Sequence, residues 1–505
     1  MPITITKQTP ILDTIGVNPS GKTKIQVLRG VASVAVLWNH VGSSGYLDPA
    51  FKLSGFFVPS GNMRPLLFFM LSGYLIGYSV KNRLVDWSSV SEFLRKRLKR
   101  LCPVYLLAVL ATFAITYDRD AVASLLNHLV FLQGGSRGLF SENGPLWTMP
   151  FEIFFYVAFI PVSFFRVKPV VVATVSLLLG LALLLAQIDA PLVISYCFGT
   201  LFWSTGLVVA HAEWKASNYP TSYLLALLLL LLCYQHVEVG QYVINQIPFL
   251  SLPVTTDSTF PYHPVQLVHL EFLPLCALIL AAFTNKKMPW ARTLLWLVLL
   301  PPLARVIYLM YGKPGGQPSE MLWSIGFFFL SISFLLFPFR LRLSKLKKCF
   351  AFLGNISYGT YLIHAPIMFL FLRFEPFSGS ATTAFVRLGL YLVTTFSVAY
   401  MLEKFHKTFF GNNTPKYAAA SELSMHGRAN PGTRVSKTVS WNGSMQLRQS
   451  SAFVLKAGGE DLNPDGVSQQ PTFTKQQAIY LPQAKGRPIQ VPGHRTNFLG
   501  PGGAF

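Results

Sequence analysis

Charge is what this chain has least of. Of its 505 residues only 12% are charged, where an average soluble globular protein carries about 25%. With 52% of its residues hydrophobic, the chain is neither a disordered polymer nor an ordinary soluble enzyme. Cysteine is scarce as well. Cys102, Cys197, Cys233, Cys276 and Cys349 form no C-x-x-C pair and lie in or beside apolar blocks, so neither a disulfide framework nor a metal site is expected. The first sixteen residues, MPITITKQTPILDTIG, lack a charged stretch running at once into an apolar one. No cleavable signal peptide is expected, and the first apolar segment should be a retained span. No internal repeat is visible.

What the chain has is apolar blocks of span length. About 20 mostly apolar residues cross a bilayer, and twelve candidates are present: 25–43, 65–81, 102–118, 146–165, 169–188, 192–211, 221–237, 266–284, 292–311, 320–339, 353–373 and 383–402. The ninth is the weakest, with Pro301, Pro302 and Arg305 inside it. The count falls to ten or eleven if one segment is re-entrant. The expected fold is an all-α polytopic membrane bundle.

The net charge is +22, and most of it marks topology. With the N-terminus inside, the inner loops carry KNR at 81–83, RKRLKR at 95–100, RVK at 166–168, NKK at 285–287 and RLRLSKLKK at 340–348. Residues 238–265 hold no Lys or Arg and are expected outside. Both termini come out cytoplasmic, in a cell (inner) membrane. The basic excess is a positive-inside signal and not a nucleic-acid footprint. The expected organisation is a cytoplasmic segment over 1–24, a membrane domain over 25–407 and a disordered cytoplasmic tail over 408–505, the last rich in Gly, Pro, Ser, Asn and Gln. Its scattered Trp441, Phe453, Phe473, Tyr480 and Phe498 are candidate docking points for an unknown partner.

Ionisable groups at membrane depth are costly and mark function. Arg29 and His40 are eleven residues apart in the first span, so they share a helix face about 16 Å apart along the axis. Counted at 1.5 Å per residue, His40, the Ser72–Gly73 pair of the second span and Glu152 of the fourth all fall in the outer half of the bilayer, at one level. Tyr156 is one turn from Glu152. A carboxylate there is suited to orienting a histidine. Small residues at the level of Ser72 and Gly73 suit close helix packing. Ser357, Tyr361 and His364 form a polar stripe on the eleventh candidate; His364 either lines the same cavity or bonds a neighbouring helix. Arg97 and Arg100, three apart, share a side if their segment is helical and are suited to clamping phosphates. GGSRG at 134–138 lacks the strand–turn–helix context of a nucleophile elbow, and GKPGG at 312–316 lacks P-loop spacing.

Taken in order, R-x10-H at Arg29 and His40, FFMLSGYLI at 68–76, RLKRLCP at 97–103, LNHLVFLQ at 126–133, LWTMPFEIFFY at 146–156, ISYGTYLIHAP at 356–366 and YMLEK at 400–404 resemble the acyltransferase-3 family. This family of integral membrane acyltransferases includes bacterial O-antigen and exopolysaccharide O-acetyltransferases. Two pieces depart from its pattern: Trp147-Thr148-Met149 replaces a Trp-Ser-Leu, and no Pro follows Glu403-Lys404. No GDS-type hydrolase motif is found in the tail, as in stand-alone members.

The resemblance implies transfer of an acyl group, acetyl above all, from cytoplasmic acyl-CoA to a hydroxyl of an extracytoplasmic or lipid-linked carbohydrate, with no permanently bound cofactor. The residues agree with that chemistry. A basic inner mouth of Arg29, Arg97 and Arg100 suits an anionic donor. His40 with Glu152 at its level suits general-base work at neutral pH, and Ser72, Tyr156, Tyr361 and His364 would line the cavity. Buried polar groups in twelve spans suit a transporter or flippase equally, but neither a two-half repeat nor paired broken helices are visible.

Overall fold

The computed structural model describes residues 19–43, 63–80, 83–116, 121–133, 140–237, 239–245, 247, 265–311, 318–340, 343–373 and 381–410. The tail and its aromatic docking points, the segment before Pro19, the two Gly-rich stretches and most of 238–265 lie outside these residues. The chain divides into two units, Met1–Glu422 and Leu423–Phe505; only the first contains described residues.

Among the described residues the fold is all-α, with one isolated bridge between Ala216 and Lys286 in place of any strand. The helices are α1 (Pro19–Ser43), α2 (Met63–Ser79), α3 (Trp87–Thr116), α4 (Ala121–Leu129), α5 (Met149–Phe164), α6 (Pro169–Leu185), α7 (Pro191–His211), α8 (Thr221–Val237), α9 (Val239–Asn245), α10 (Leu273–Phe283), α11 (Ala291–Tyr311), α12 (Pro318–Leu336), α13 (Ser344–Asn355), α14 (Ser357–Leu372) and α15 (Ala381–Phe410). Two 3-10 segments, Ser141–Thr148 and Leu267–Phe272, lead into α5 and α10. Every expected span overlies a helix. Among the described residues six helical stretches are long and apolar enough to cross a membrane, and five more apolar helices run 10–17 residues.

Local sequence explains the ends. Pro opens α6 and α7, where its missing N–H costs nothing. α5, α6 and α10 stop at Arg166, Gln187 and Asn285, which turn into the left-handed region at φ 56°, 52° and 59°. The next residue in each case bonds back to the helix: Val167 N to Val162 O, Ile188 N to Leu183 O and Lys286 N to Ala281 O, at 3.0, 3.1 and 2.9 Å. Lys286 then donates from Nζ to the carbonyls of Val209, Ala210 and Ala212 at the end of α7.

Glycine sets two close helix crossings. A Cβ on Gly73 would lie 1.9 Å from Trp203 O, and one on Gly206 would lie 1.9 Å from Met70 O, so α2 and α7 touch backbone to backbone. Gly30 and Gly354 do the same for α1 and α13. Apolar packing forms two clusters. One is built on α2, α7, α8 and α10, the other on α3, α14, α15 and the first 3-10 segment. Phe68 and Tyr156 pack against both. The outer surface is apolar along α6, where Val170, Val171, Val175, Leu178 and Leu179 stand exposed, as a lipid-facing helix requires.

Helix α3 corrects a boundary. The basic stretch 95–100, read as a loop ahead of a span starting at 102, is helical and continuous with that span through Pro103. Its charges hide it from a hydropathy reading. α13 is amphipathic, with Lys345, Lys347 and Lys348 exposed along it.

Candidate active site

The two clusters meet along the inner faces of α1, α2, α3, α5 and α14, and there the polar residues gather. α3 is capped by Asp86, whose Oδ1 accepts from Ser89 N at 2.8 Å. That bond, with the Ser89 hydroxyl, holds the Asp86 carboxyl below its ordinary range. The helix it starts turns Arg97 and Arg100 inward. Both are half-buried, while Arg95, Lys96 and Lys99 between and beside them are exposed. Arg97 donates to Ser79 Oγ at the end of α2 and stacks over the Phe93 ring, 5.6 Å from its centroid.

Glu152 lies in the first turn of α5, where the helix dipole favours a carboxylate. Ser72 Oγ donates to its Oε2 at 2.8 Å. The counted depths of α2 and α5 therefore agree, but Ser72 is not the packing residue that its size suggested; Gly73 beside it fills that role. Arg97 and Arg29 lie within electrostatic range of Glu152. Arg29 also feels Arg100, Glu403 and Tyr156.

His40 meets His364 of α14, ring centroids 5.0 Å apart and planes at 56°. His364 is fully buried. Its Nδ1 stands 2.8 Å from Tyr361 O. A carbonyl only accepts, so Nδ1 carries the proton and Nε2 of the neutral ring is an acceptor. That Nε2 has no hydrogen-bond partner among the described residues. The hydrogen bond of His364 to Tyr361 stays within its own helix, and its ring contact with His40 crosses to α1.

Tyr361 forms a wall of the site. Its hydroxyl donates to Pro145 O at 2.9 Å and accepts from Thr148 Oγ1 at 3.1 Å, pinning the 3-10 segment ahead of Glu152. Thr148 thus keeps the hydroxyl of the family's serine. Asn143 donates to Thr112 Oγ1 and Leu362 O. Gln133 donates to the Tyr105 hydroxyl and Leu146 O, and Tyr105 donates to His128 O. The LNHLVFLQ motif is therefore a brace for this segment. Ser357 bonds Gly354 O at the α13–α14 junction and stays out of the site.

Two residues went unassigned at the sequence level. Glu403 of α15 is 5% exposed and within range of Arg29; it stands one residue past the apolar window that defined the last span. Tyr358 donates to Leu101 O at 2.9 Å, tying α14 to α3 one residue after Arg100. Among the described residues no group of three or more His, Cys, Asp and Glu side chains could hold a metal ion, and all five cysteines are free.

The arrangement is a polar interior with two histidines at one place and three arginines against two carboxylates at another. It offers an acceptor for a proton and a seat for an anion within one helical body. Comparison with known proteins agrees in kind. The family profile described as Acyltransferase domain matches residues 22–312, more than half of the chain. An O-acetyl transferase of Shigella phage Sf6 is 28% identical over 147 residues, covering 26% of this chain and 42% of that protein. The chain thus aligns with less than half the length of this relative. No solved structure matches. The profile ends before α14 and α15, whose His364 and Glu403 complete the site from outside the matched region. From this match, the motifs and their convergence, the chain belongs to the acyltransferase-3 family.

Proposed function

We propose that the protein is an O-acyltransferase that moves an acyl group, acetyl in the simplest case, from cytoplasmic acyl-CoA to a hydroxyl of an extracytoplasmic or lipid-linked glycan. The observation that carries this reading is the contact of His40 with His364 in the same helical body that gathers Arg29, Arg97, Arg100 and the Ser72-bonded Glu152. In the reaction, His40 takes the proton of the acceptor hydroxyl. The oxygen attacks the thioester carbonyl, the C–S bond breaks, and the CoA thiolate leaves with the proton from the imidazolium. Arg97 and Arg100 suit the CoA pyrophosphate, since guanidinium groups pair phosphates through two parallel bonds. Arg29 lies on the His40 face of α1 and guides the pantetheine arm. Glu152 keeps the arginine cluster near neutrality. The phage relative's printed name, O-acetyl transferase, supports both the oxygen acceptor and the acetyl group.

The basic helix ends belong on the cytoplasmic side in this reading, with both termini inside and 238–265 outside. Labelling of cysteines introduced into the tail and into 238–265 tests that orientation in intact cells. The function itself is tested with purified protein and acyl-labelled CoA. Release of free CoA with label appearing on a glycan is expected. Movement of a solute with no thioester cleavage would replace this reading with that of a transporter.

A further inference from the structure

A second polar feature stands outside the site described above. A cavity of about 310 Å³ opens between the ends of α2, α5, α6 and α7, within the size range of small-ligand pockets. Arg83, Arg166, Lys168 and His211 line it, Phe159 and Val80 form part of its apolar wall, and no acidic side chain takes part. Positive-inside topology accounts for basic residues at these ends. It does not account for their convergence on one half-open cleft with an apolar wall.

Two of the lining residues are held. Arg83 donates to Phe164 O from Nε at 2.8 Å, and its guanidinium stands 5.5 Å from the Phe164 ring centroid. His211 Nδ1 stands 2.9 Å from Leu207 O, so that nitrogen carries a proton and Nε2 is the free position. Arg166 is set by its left-handed backbone, φ 56°, at the turn just before Pro169 opens α6. Lys168 precedes that helix directly, so the α6 dipole adds to the positive field.

The cavity adjoins the arginine cluster along two routes. Val80 follows Ser79, the residue that receives Arg97. Arg97 stacks on Phe93, and Phe93 in turn packs on Phe159 at 5.3 Å between centroids. A ligand with one anionic group at Arg97 and Arg100 thus has a second cationic seat next door. Acyl-CoA carries two anionic groups of this kind, the pyrophosphate and the ribose 3′-phosphate, with an apolar-faced adenine between them and solvent.

We propose that this cavity is the seat of the adenosine 3′-phosphate end of the donor, with Arg83, Arg166, Lys168 and His211 around the phosphate and Phe159 on the apolar wall beside the nucleoside. The proposal rests on acyl-CoA being the donor. It adds that the enzyme distinguishes CoA from its 3′-dephospho form.

The test compares the two donors. Donor KM is measured with acyl-CoA and with acyl-3′-dephospho-CoA, on the parent and on an Arg166→Gln/Lys168→Gln variant, in nanodiscs of zwitterionic and of anionic lipid. Arg83 is left in place because it caps α5. The parent is expected to favour acyl-CoA by at least about 10-fold in KM, as loss of charge-assisted hydrogen bonds predicts. In the variant that preference should shrink to about 3-fold or less, in both lipids. No preference in the parent, or an unchanged preference in the variant, overturns the subsite. Equal loss on both donors, seen in anionic lipid alone, overturns it in favour of a phospholipid headgroup. Thioester cleavage of neither donor sinks the acyl-CoA reading itself, and adenosine 3′,5′-bisphosphate failing to compete with labelled CoA for binding to the parent then removes the subsite with it.

Discussion

Ser72 of α2 donates its hydroxyl to Glu152 of α5 across 2.8 Å. This one bond ties the α2 motif FFMLSGYLI to the α5 motif LWTMPFEIFFY, and it fixes the carboxylate that Arg29 and Arg97 both feel.

Removing that donor should therefore be costly without being a packing change. Ser72→Ala deletes one oxygen and leaves Glu152 short of a partner, a loss of about 1.5–3 kcal/mol for a hydrogen bond to a charged group. Lower thermal stability in detergent and turnover reduced roughly 10-fold or more are expected. Parent-like melting and turnover together would show that Glu152 does not depend on Ser72.

The glycine crossing makes a separate prediction about folding. Gly73→Ala and Gly206→Ala place a Cβ 1.9 Å from backbone oxygens of the partner helix, so α2 and α7 must move apart. Overpacking of this kind costs about 1–3 kcal/mol or more. Gly326→Ala is the control, since nothing lies within 4 Å of its Cβ. Yields of monodisperse membrane protein should fall for the first two and hold for the third. Equal yields for all three would contradict the backbone contact of α2 and α7.

We propose that His364 acts through His40, as a positioning residue. His364→Ala removes the ring that packs at 5.0 Å against His40, and kcat should fall on the order of 10- to 100-fold, as small misplacements of reacting groups do. Donor KM should hardly change. His364→Gln, whose amide reaches the Nε2 position, should retain more kcat than His364→Asn, which reaches only Nδ1. A rise in donor KM at constant kcat would place His364 in donor binding instead.

Arg97→Lys and Arg100→Lys keep the charge and lose the planar fork. Donor KM should rise by roughly 10- to 150-fold for loss of a charged hydrogen bond, with acceptor KM nearly unchanged. Donor saturation kinetics measure it. A rise in acceptor KM alone would assign the arginines to something other than CoA.

Much of this was legible in the sequence because ionisable groups in apolar spans stand out. Arg29, His40 and Glu152 are picked out as candidates that way, and a count of 1.5 Å per residue brings Ser72 to the level of Glu152. The misses have physical causes. A serine beside a glycine reads equally as packing or as a donor, and only the neighbouring helix decides between them. Glu403 falls just beyond an apolar window and looks like loop charge. The helical run of α3 through RKRLKR is masked by its own basic residues. Arg83, Arg166 and Lys168 come from two basic loops and read as topology charge until the fold brings them round one cavity.

In the proposed reaction His40 is the base in acyl transfer. The most direct measurement is transfer of labelled acyl groups from CoA to glycan by His40→Ala, beside the parent, at matched membrane expression and matched elution in detergent. A loss of roughly 10²–10⁴-fold is predicted for removing a positioned general base, with donor binding retained. Turnover near that of the parent in a well-folded His40→Ala protein would contradict the account.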